Sequence, residues 1–179
     1  MSTRRINSST QHVSMALAAL VAAIILGPTL AAPYEFEFSD PKPWQETDKA
    51  LPAYPQDEDL LPLDIRVLGS NFKFFIDSKS IFTGDDNIVA YTLVISTDSG
   101  AKNVFREGLR CGFDEYKQYA YGNSDGSFQV SKEAEWKNIP KKGVNSYRNE
   151  LLGYMCGSNM LPLPPKQIIK RIHYPQTTP

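Results

Sequence analysis

The sequence predicts an α+β fold, in which an antiparallel, curved sheet of five or six strands carries one or two C-terminal helices packed on it. Three observations predict this class. Segments of alternating apolar and polar residues follow one another from residue 64 onward, short turns separate them, and helical spacing of apolar residues occurs only late in the chain. Short connections favour antiparallel pairing, because parallel strands need a longer crossover.

The first strands are predicted on either side of a turn at residues 77–79, over residues 73–76 and 80–82. The next strand includes residues 91–96, where Tyr91, Leu93 and Ile95 alternate with Thr92, Val94 and Ser96. This alternation indicates a strand with one strongly apolar face.

Three further strands are predicted over residues 102–111, 116–121 and 128–130. Asp98-Ser99-Gly100 provides the turn before the first of them. Asn123-Ser124-Asp125-Gly126 forms the hairpin loop before the last, and Gly126 can adopt a positive φ without steric cost. These segments together predict a meander of hairpins.

A first helix is predicted over residues 147–156, because Tyr147, Leu151 and Tyr154 recur at helical spacing. Asn145 or Ser146 would cap its start, and Gly157 would stop it. A second short helix is predicted after Pro164-Pro165. Its inward residues would be Ile168, Ile169 and Ile172.

The N-terminal residues resemble a secretory signal. Arg4 and Arg5 precede an apolar run over residues 13–26, which Gly27 and Pro28 end. A basic start, a short apolar run and small residues before a cut are typical of a signal peptide. We predict cleavage after Ala31, so that the mature chain is periplasmic or secreted; the alternative is an uncleaved anchor, the only predicted contact with a membrane.

The predicted domain organisation follows from these patterns. Residues 1–31 are the signal peptide, and residues 32–62 are a linker rich in proline and acidic residues, which favours extended conformations. As an alternative, Trp44 and residues 60–63 could be pinned onto the domain. A single α+β domain covers residues 63–157 and extends to about residue 174, and residues 175–179 form a tail.

The charge balance argues against one class of partner. Removing residues 1–31 leaves 17 basic and 20 acidic residues, a formal charge of −3. Proteins that bind nucleic acid through its phosphates carry a basic patch or stripe. We therefore predict no nucleic-acid partner.

The chain has two cysteines, Cys111 at the end of a predicted strand and Cys156 at the end of a predicted helix. In an oxidising compartment an even number of cysteines indicates disulfides. A Cys111–Cys156 bond would close a loop of 45 residues and stabilise the fold by roughly 4 kcal/mol. Two buried thiols or an intermolecular bond are the alternatives.

Few residues point to catalysis. His173 is the only histidine after the signal peptide and would be a solvated residue of the tail, so a nucleophile–histidine arrangement has no positioned base. Glu107 and Glu115 could form an acid–base pair only if the fold brought them together. The sequence predicts no metal site, no cofactor and no catalytic residue.

The best candidates for binding are four aromatic residues in and beside one predicted hairpin. They are Tyr116, Tyr119, Tyr121 and Phe128. Tyr119 and Tyr121 would share one face of their strand, and tyrosine suits interfaces because it combines apolar area with a polar tip. Core packing is the alternative for the same residues.

Several segments together resemble the cryptic neisserial protein-like family of exported bacterial proteins. They are "FFIDSKSIF", "YTLVISTDSGAKNVFREGLRC", "YAYGNSDGSF", Trp136 and the helix at residues 147–156. The resemblance covers roughly residues 44–156, and "EGLRC" with "YAYG" is its most specific part. It implies an exported single domain and supplies no catalytic residues.

These observations predict a non-enzymatic module of the bacterial envelope, held together by one disulfide. Its partner would be an envelope protein or a component of the cell wall. The alternative function is a small hydrolase-like enzyme of the envelope that uses carboxylates and tyrosines.

Overall fold

The computed structural model describes residues 43–47 and 49–175, which belong to one compact unit. The predicted signal peptide, its cleavage site, residues 32–42 of the predicted linker and residues 176–179 of the predicted tail lie outside the described residues. In the described range the secondary structure, apart from two 3-10 turns, consists of strands β1 Leu60–Leu63, β2 Lys73–Asp77, β3 Phe82–Thr83, β4 Ile88–Ser96, β5 Lys102–Arg110, β6 Glu115–Gly122, β7 Phe128–Val130 and β8 Lys137–Asn138, and helices α1 Tyr147–Met155 and α2 Pro165–His173.

The strands form one antiparallel sheet in the order β1-β2-β4-β5-β6-β7, with β3 also paired to β4 and β8 to β6. The predicted α+β class with an antiparallel sheet and C-terminal helices is confirmed. The path contains six strands, and two short ones lie beside it. Gly126 has a φ of +82° in the hairpin loop between β6 and β7, as its position predicted.

Two strands begin two or three residues away from their predicted starts. β4 begins at Ile88, three residues before the predicted start. Ser80 and Ile81 precede β3 rather than belonging to it, because Ser80 remains in a turn. Its amide and hydroxyl donate to the Asp77 carbonyl, and its hydroxyl accepts a hydrogen bond from the amide of Thr92.

The predicted boundary between linker and domain falls inside β1. Leu60–Leu63 pairs residue by residue with β2, so that Leu60 lies opposite Asp77 and Leu63 lies opposite Phe74. The end of the proline-rich segment is therefore an edge strand. Proline is compatible with this position, because an edge strand leaves some amides without a partner.

Both helices lie where the apolar spacing predicted them. Ser146 precedes α1, but no side chain caps the helix. Gly157 does not adopt a left-handed conformation at its end; Cys156 leaves the helix in extended conformation and bridges to Pro162. No helix among residues 43–47 and 49–175 is long and apolar enough to cross a bilayer.

The helices cover one face of the sheet, called here the helix face. Tyr147, Leu151 and Met155 of α1 and Ile168 and Ile172 of α2 are buried against it. Ile169, which was predicted to point inward, is only half-buried. The strand residues in the same core are Leu63, Phe74, Ile76, Val89, Tyr91, Leu93, Ile95 and Leu109.

The opposite face of the sheet is also covered, and the prediction of a single apolar face for β4 is wrong. Every residue from Ile88 to Ile95 is buried, including Ala90, Thr92 and Val94, which alternate with the residues of the helix face. The segment before the first strand lies on this second face. This segment, residues 43–47 and 49–56, is called the strap, and the face beneath it the strap face.

The disulfide between Cys111 and Cys156 is present, with Cα atoms 5.8 Å apart. Cys111 follows the last residue of β5, and Cys156 follows the last residue of α1. The predicted pairing is confirmed, and the bond holds the end of α1 to the end of a central strand.

Candidate functional site

The strap has no regular secondary structure, so its side chains attach it to the sheet. Its first anchor is Trp44, whose indole NH donates to the Asp86 carbonyl at 2.9 Å. The Trp44 ring also lies 4.1 Å from the guanidinium of Arg110, which lies 3.9 Å from the ring of Phe113 as well. Such cation–π contacts hold a cation against an aromatic ring.

Asp86 is the second anchor of the strap. Its carboxylate accepts hydrogen bonds from the amide of Thr47 and from the ammonium of Lys49. Both members of the Lys49–Asp86 ion pair are buried. Burial alone would raise the pKa of Asp86, but the hydrogen bonds from Lys49 and Thr47 outweigh burial and lower it.

Glu46 is the third anchor, and it joins the strap to β6. Its carboxylate accepts hydrogen bonds from Lys117 Nζ at 2.9 Å, Tyr119 Oη at 2.8 Å and Trp136 Nε1 at 3.1 Å. Burial alone would raise the pKa of Glu46, but these three hydrogen bonds lower it below its ordinary value of 4.5. Glu46 is therefore ionised at neutral pH.

Two strand glycines make room for these contacts. A Cβ atom on Gly108 would lie 2.7 Å from the Tyr119 hydroxyl. A Cβ atom on Gly122 would lie 2.7 Å from the hydroxyl of Tyr54, which donates to the Asn123 carbonyl and anchors the end of the strap. Glycine inside a strand often marks such a close approach.

A β-bulge places Tyr119 on the strap face. The register between β5 and β6 shifts between Arg106 and Glu107, so that Tyr119 has no partner between Gln118 and Ala120. Tyr119 consequently points toward Glu46, whereas Tyr121 lies opposite Phe105, which packs on the core of the helix face. The expectation that Tyr119 and Tyr121 share a face is wrong because of this extra residue.

A cleft of ≈ 510 Å³ lies between the strap and the outer end of the sheet. This volume is within the range of small-ligand sites. We call it the β6 cleft, and its walls combine charged, aromatic and aliphatic side chains. They are Glu46, Thr47, Lys49, Ala50, Leu51, Lys117, Tyr119, Val130 and Ala134.

The four predicted binding residues have different surroundings. Tyr119 is in the β6 cleft, and Phe128 packs against Tyr54 with ring centroids 5.3 Å apart. Tyr116 belongs to the edge of the helix-face core, where the Arg148 guanidinium lies 3.9 Å from its ring. Tyr121 is 36% exposed. The fold therefore brings only Tyr119 to the cleft.

The helix face contains a buried charge cluster centred on Glu107. Arg148 of α1 donates two hydrogen bonds to this carboxylate, and Tyr91 donates a third at 3.1 Å. Burial first, and then the negative charge of Glu107, raise the pKa of Tyr91 well above its ordinary value. Glu107 has no exposed surface, so the cluster joins helix to sheet and offers nothing to solvent.

Glu107 and Glu115, which could have formed an acid–base pair, are not brought together. Glu107 points into the helix face, whereas Glu115 pairs in register with Arg110 and accepts its hydrogen bond at 3.2 Å. Arg110 contacts Trp44 of the strap, so this pair lies on the opposite face. His173 is exposed but ends α2 rather than belonging to a tail.

A comparison with family models decides the family. The CNP1-like family matches residues 39–173, about three quarters of the chain. This protein belongs to the CNP1-like family. The CNP1-like match begins before the strap and ends with α2, so it extends beyond residues 44–156 at both ends. No curated protein and no solved structure shows significant similarity to the chain.

Sequence reasoning missed the anchors of the strap, namely Glu46, Lys49 and Asp86. They lie in segments without periodic patterning, where side-chain partners leave no local signal. Gly108 inside β5 and Gly122 at the end of β6 were the available signal, because larger residues surround each of them in the strand.

Proposed function

We propose that this CNP1-like protein is an exported bacterial module that binds a partner at the β6 cleft and performs no catalysis. The partner class is an envelope protein or a component of the cell wall. One observation carries the proposal: the cleft has the size and mixed lining of a binding site. The pKa values of its two perturbed groups, Glu46 and Tyr119, are shifted away from neutral pH.

Those directions favour binding over acid–base chemistry. Burial and the hydrogen bond to Glu46 raise the pKa of Tyr119, whereas hydrogen bonds lower the pKa of Glu46. A general acid or base works best with a pKa near the working pH. Tyr119 therefore stays protonated and Glu46 stays ionised at neutral pH, so neither group is poised to transfer a proton.

Export is proposed from two features. The N-terminal pattern is typical of a signal peptide, and a disulfide is typical of proteins that fold in an oxidising compartment. Intact mass of the protein from a cell envelope fraction tests this proposal. We expect a chain that begins at Ala32; a mass that retains residues 1–31 in a membrane fraction would favour the uncleaved anchor.

Binding at the β6 cleft can be tested with two matched substitutions. Val130 lines the cleft and is 63% exposed, whereas Val144 is 59% exposed and does not line it. We expect Val130→Lys to reduce chemical crosslinking to the envelope partner several-fold, because it places a charge in the cleft. Val144→Lys should leave crosslinking unchanged, and equal yields from the two variants would contradict the cleft as the binding site.

The hydrolase alternative has its own test. Turnover of an envelope substrate by the purified protein, abolished by Glu46→Gln or Glu115→Gln, would contradict the proposed absence of catalysis. Such turnover would not affect the crosslinking test at Val130, because that test addresses binding and not catalysis.

A further inference from the structure

Arg106 is a buried cation on the strap face of β5. It is 3% exposed, and its Nη1 donates to the Ser80 carbonyl at 2.8 Å. Its Nε atom is buried without a hydrogen-bond partner. A buried polar group without a partner costs free energy, and a buried charge costs more. Arg106 therefore keeps an unpaired Nε–H group inside the protein, which lowers the stability of the fold.

Within the described part of the chain, no carboxylate forms an ion pair with Arg106. Burial lowers its pKa to about 10, and the attraction of Tyr119 and Asp77 does not compensate for it. Arg106 still carries its charge at neutral pH. Arg148, the other buried arginine, has Glu107 as a direct partner.

A second unsatisfied group lies beside Arg106. Thr92 is its cross-strand partner in the register of β4 and β5, so the two side chains occupy the same face. The hydroxyl of Thr92 is buried and also lacks a hydrogen-bond partner. A guanidinium and a hydroxyl side by side are the donors that proteins use for carboxylate and phosphate oxygens.

A small cleft lies beside the turn whose Ser80 carbonyl accepts the hydrogen bond from Arg106. It has a volume of ≈ 240 Å³ and lies between the strap, over residues 52–56, and the turn after β2. Asp77, the last residue of β2, and Lys79 line it and come just before Ser80, whose carbonyl accepts a hydrogen bond from Arg106. Asp59 lines it as well, but its charge is compensated by an ion pair with Lys79.

The strap above this region is attached at its two ends. Residues 44–47 and Lys49 are held through Asp86 and Glu46, and Tyr54 is held through the Asn123 carbonyl. Ala50, Leu51, Pro52 and Ala53 lie between these anchors and have no side chain that can hydrogen-bond. No side-chain hydrogen bond therefore ties this middle part to the sheet.

We propose that Arg106 and Thr92 form an oxyanion-binding site beneath the middle of the strap, which takes a carboxylate or phosphate group of a small ligand. The free Nε edge of Arg106 donates to the oxyanion, and the Thr92 hydroxyl donates to a second oxygen. The ligand enters through the cleft at residues 52–56. This site is separate from the β6 cleft and does not depend on the partner proposed there.

The test is thermal unfolding of the full-length protein in chloride buffer at constant ionic strength, with sodium acetate and inorganic phosphate added in separate titrations. Ligand that binds only the folded state raises Tm by roughly 5–10 °C when its concentration is about 100-fold above its dissociation constant. We expect acetate, phosphate or both to raise Tm, and the comparison between them tells a carboxylate ligand from a phosphate ligand.

Arg106→Met should abolish this rise, whereas Arg110→Met, on the same strand and face, should retain it. No rise in the unmodified protein, an equal rise in Arg106→Met, or loss of the rise in Arg110→Met would overturn the proposal. Should Arg106→Met fail to fold, Thr92→Val provides the second variant. It must weaken the response to the anion several-fold, and an unchanged response would overturn the proposal.

Discussion

Arg106 and Glu107 are neighbours on β5 but point to opposite faces of the sheet, and the two faces are built differently. On the helix face, Glu107 is fully paired with Arg148 and Tyr91, and a disulfide closes the layer beside it. On the strap face, Arg106 has an unsatisfied Nε, and an irregular segment attached by a few side chains covers it. The comparison teaches that a buried charge with all its hydrogen bonds made serves to hold two layers together. A buried charge with an unpaired N–H is the better candidate for binding a ligand.

The largest effect should come from breaking the completed network. Arg148→Met leaves the carboxylate of Glu107 buried without its cation, and losing one partner of a buried pair costs about 3–5 kcal/mol. Urea unfolding measures this loss. Arg106→Met is the matched control and should cost at most about 1–2 kcal/mol, because it leaves only the Ser80 carbonyl unpaired. Equal losses would contradict the difference between the faces.

Loss of the disulfide should lower the free energy of unfolding by as much as Arg148→Met does, or by less. Cys156→Ser should reduce the free energy of unfolding by about 2–5 kcal/mol, because the unfolded chain is no longer constrained by the bond. Thermal unfolding of the variant and of the reduced native protein should agree. Free thiols in freshly isolated protein would show that the bond does not form in the cell.

Adding a methyl group beneath the strap should lower the free energy of unfolding by a moderate amount. Gly122→Ala places a Cβ atom 2.7 Å from the Tyr54 hydroxyl, and overpacking of this kind costs about 1–3 kcal/mol. Limited proteolysis should then cut the strap faster. Gly153→Ala in α1 is the control, since nothing lies within 4 Å of the added atom and alanine favours a helix. A destabilised Gly153→Ala would make the comparison invalid.

Acid should release the strap with the smallest loss of overall stability. The pKa values of Glu46 and Asp86 are lowered in the folded state, so their contribution is complete above the ordinary values of 4.5 and 3.8 and is lost as pH falls through the folded values. The chain's two tryptophans, Trp44 and Trp136, both contact the strap network. Their fluorescence should change below these pH values, and Glu46→Gln should remove part of the change; unaltered fluorescence before global unfolding would contradict an independent strap.

The sequence predicted the helix face well because its signals are local. The turns at Gly100 and Gly126, the alternation in β4 and the spacing of Tyr147 and Leu151 each lie within a few residues, and the disulfide followed from chemistry and position. The strap face was largely missed. Its contacts join residues 37 to 90 positions apart, such as Lys49 with Asp86 and Glu46 with Trp136.

The bulge explains why the candidate site was only partly predicted. One extra residue at Tyr119 reverses which side chains of β6 face the strap, and nothing in the alternation of the strand indicates it. Arg106 was overlooked for a related reason. A charged residue inside a strand normally indicates an exposed face, and here a segment more than fifty residues earlier covers that face.

The position of the strap in the chain sets the order in which the protein is completed. The strap is synthesised before any strand, yet Lys117, Tyr119 and Trp136, to which Glu46 binds, come about 70 to 90 residues later. Contacts of such separation form late, because closing a long loop is entropically costly. We therefore expect the strap, the first part of the domain to be synthesised, to settle on the sheet last.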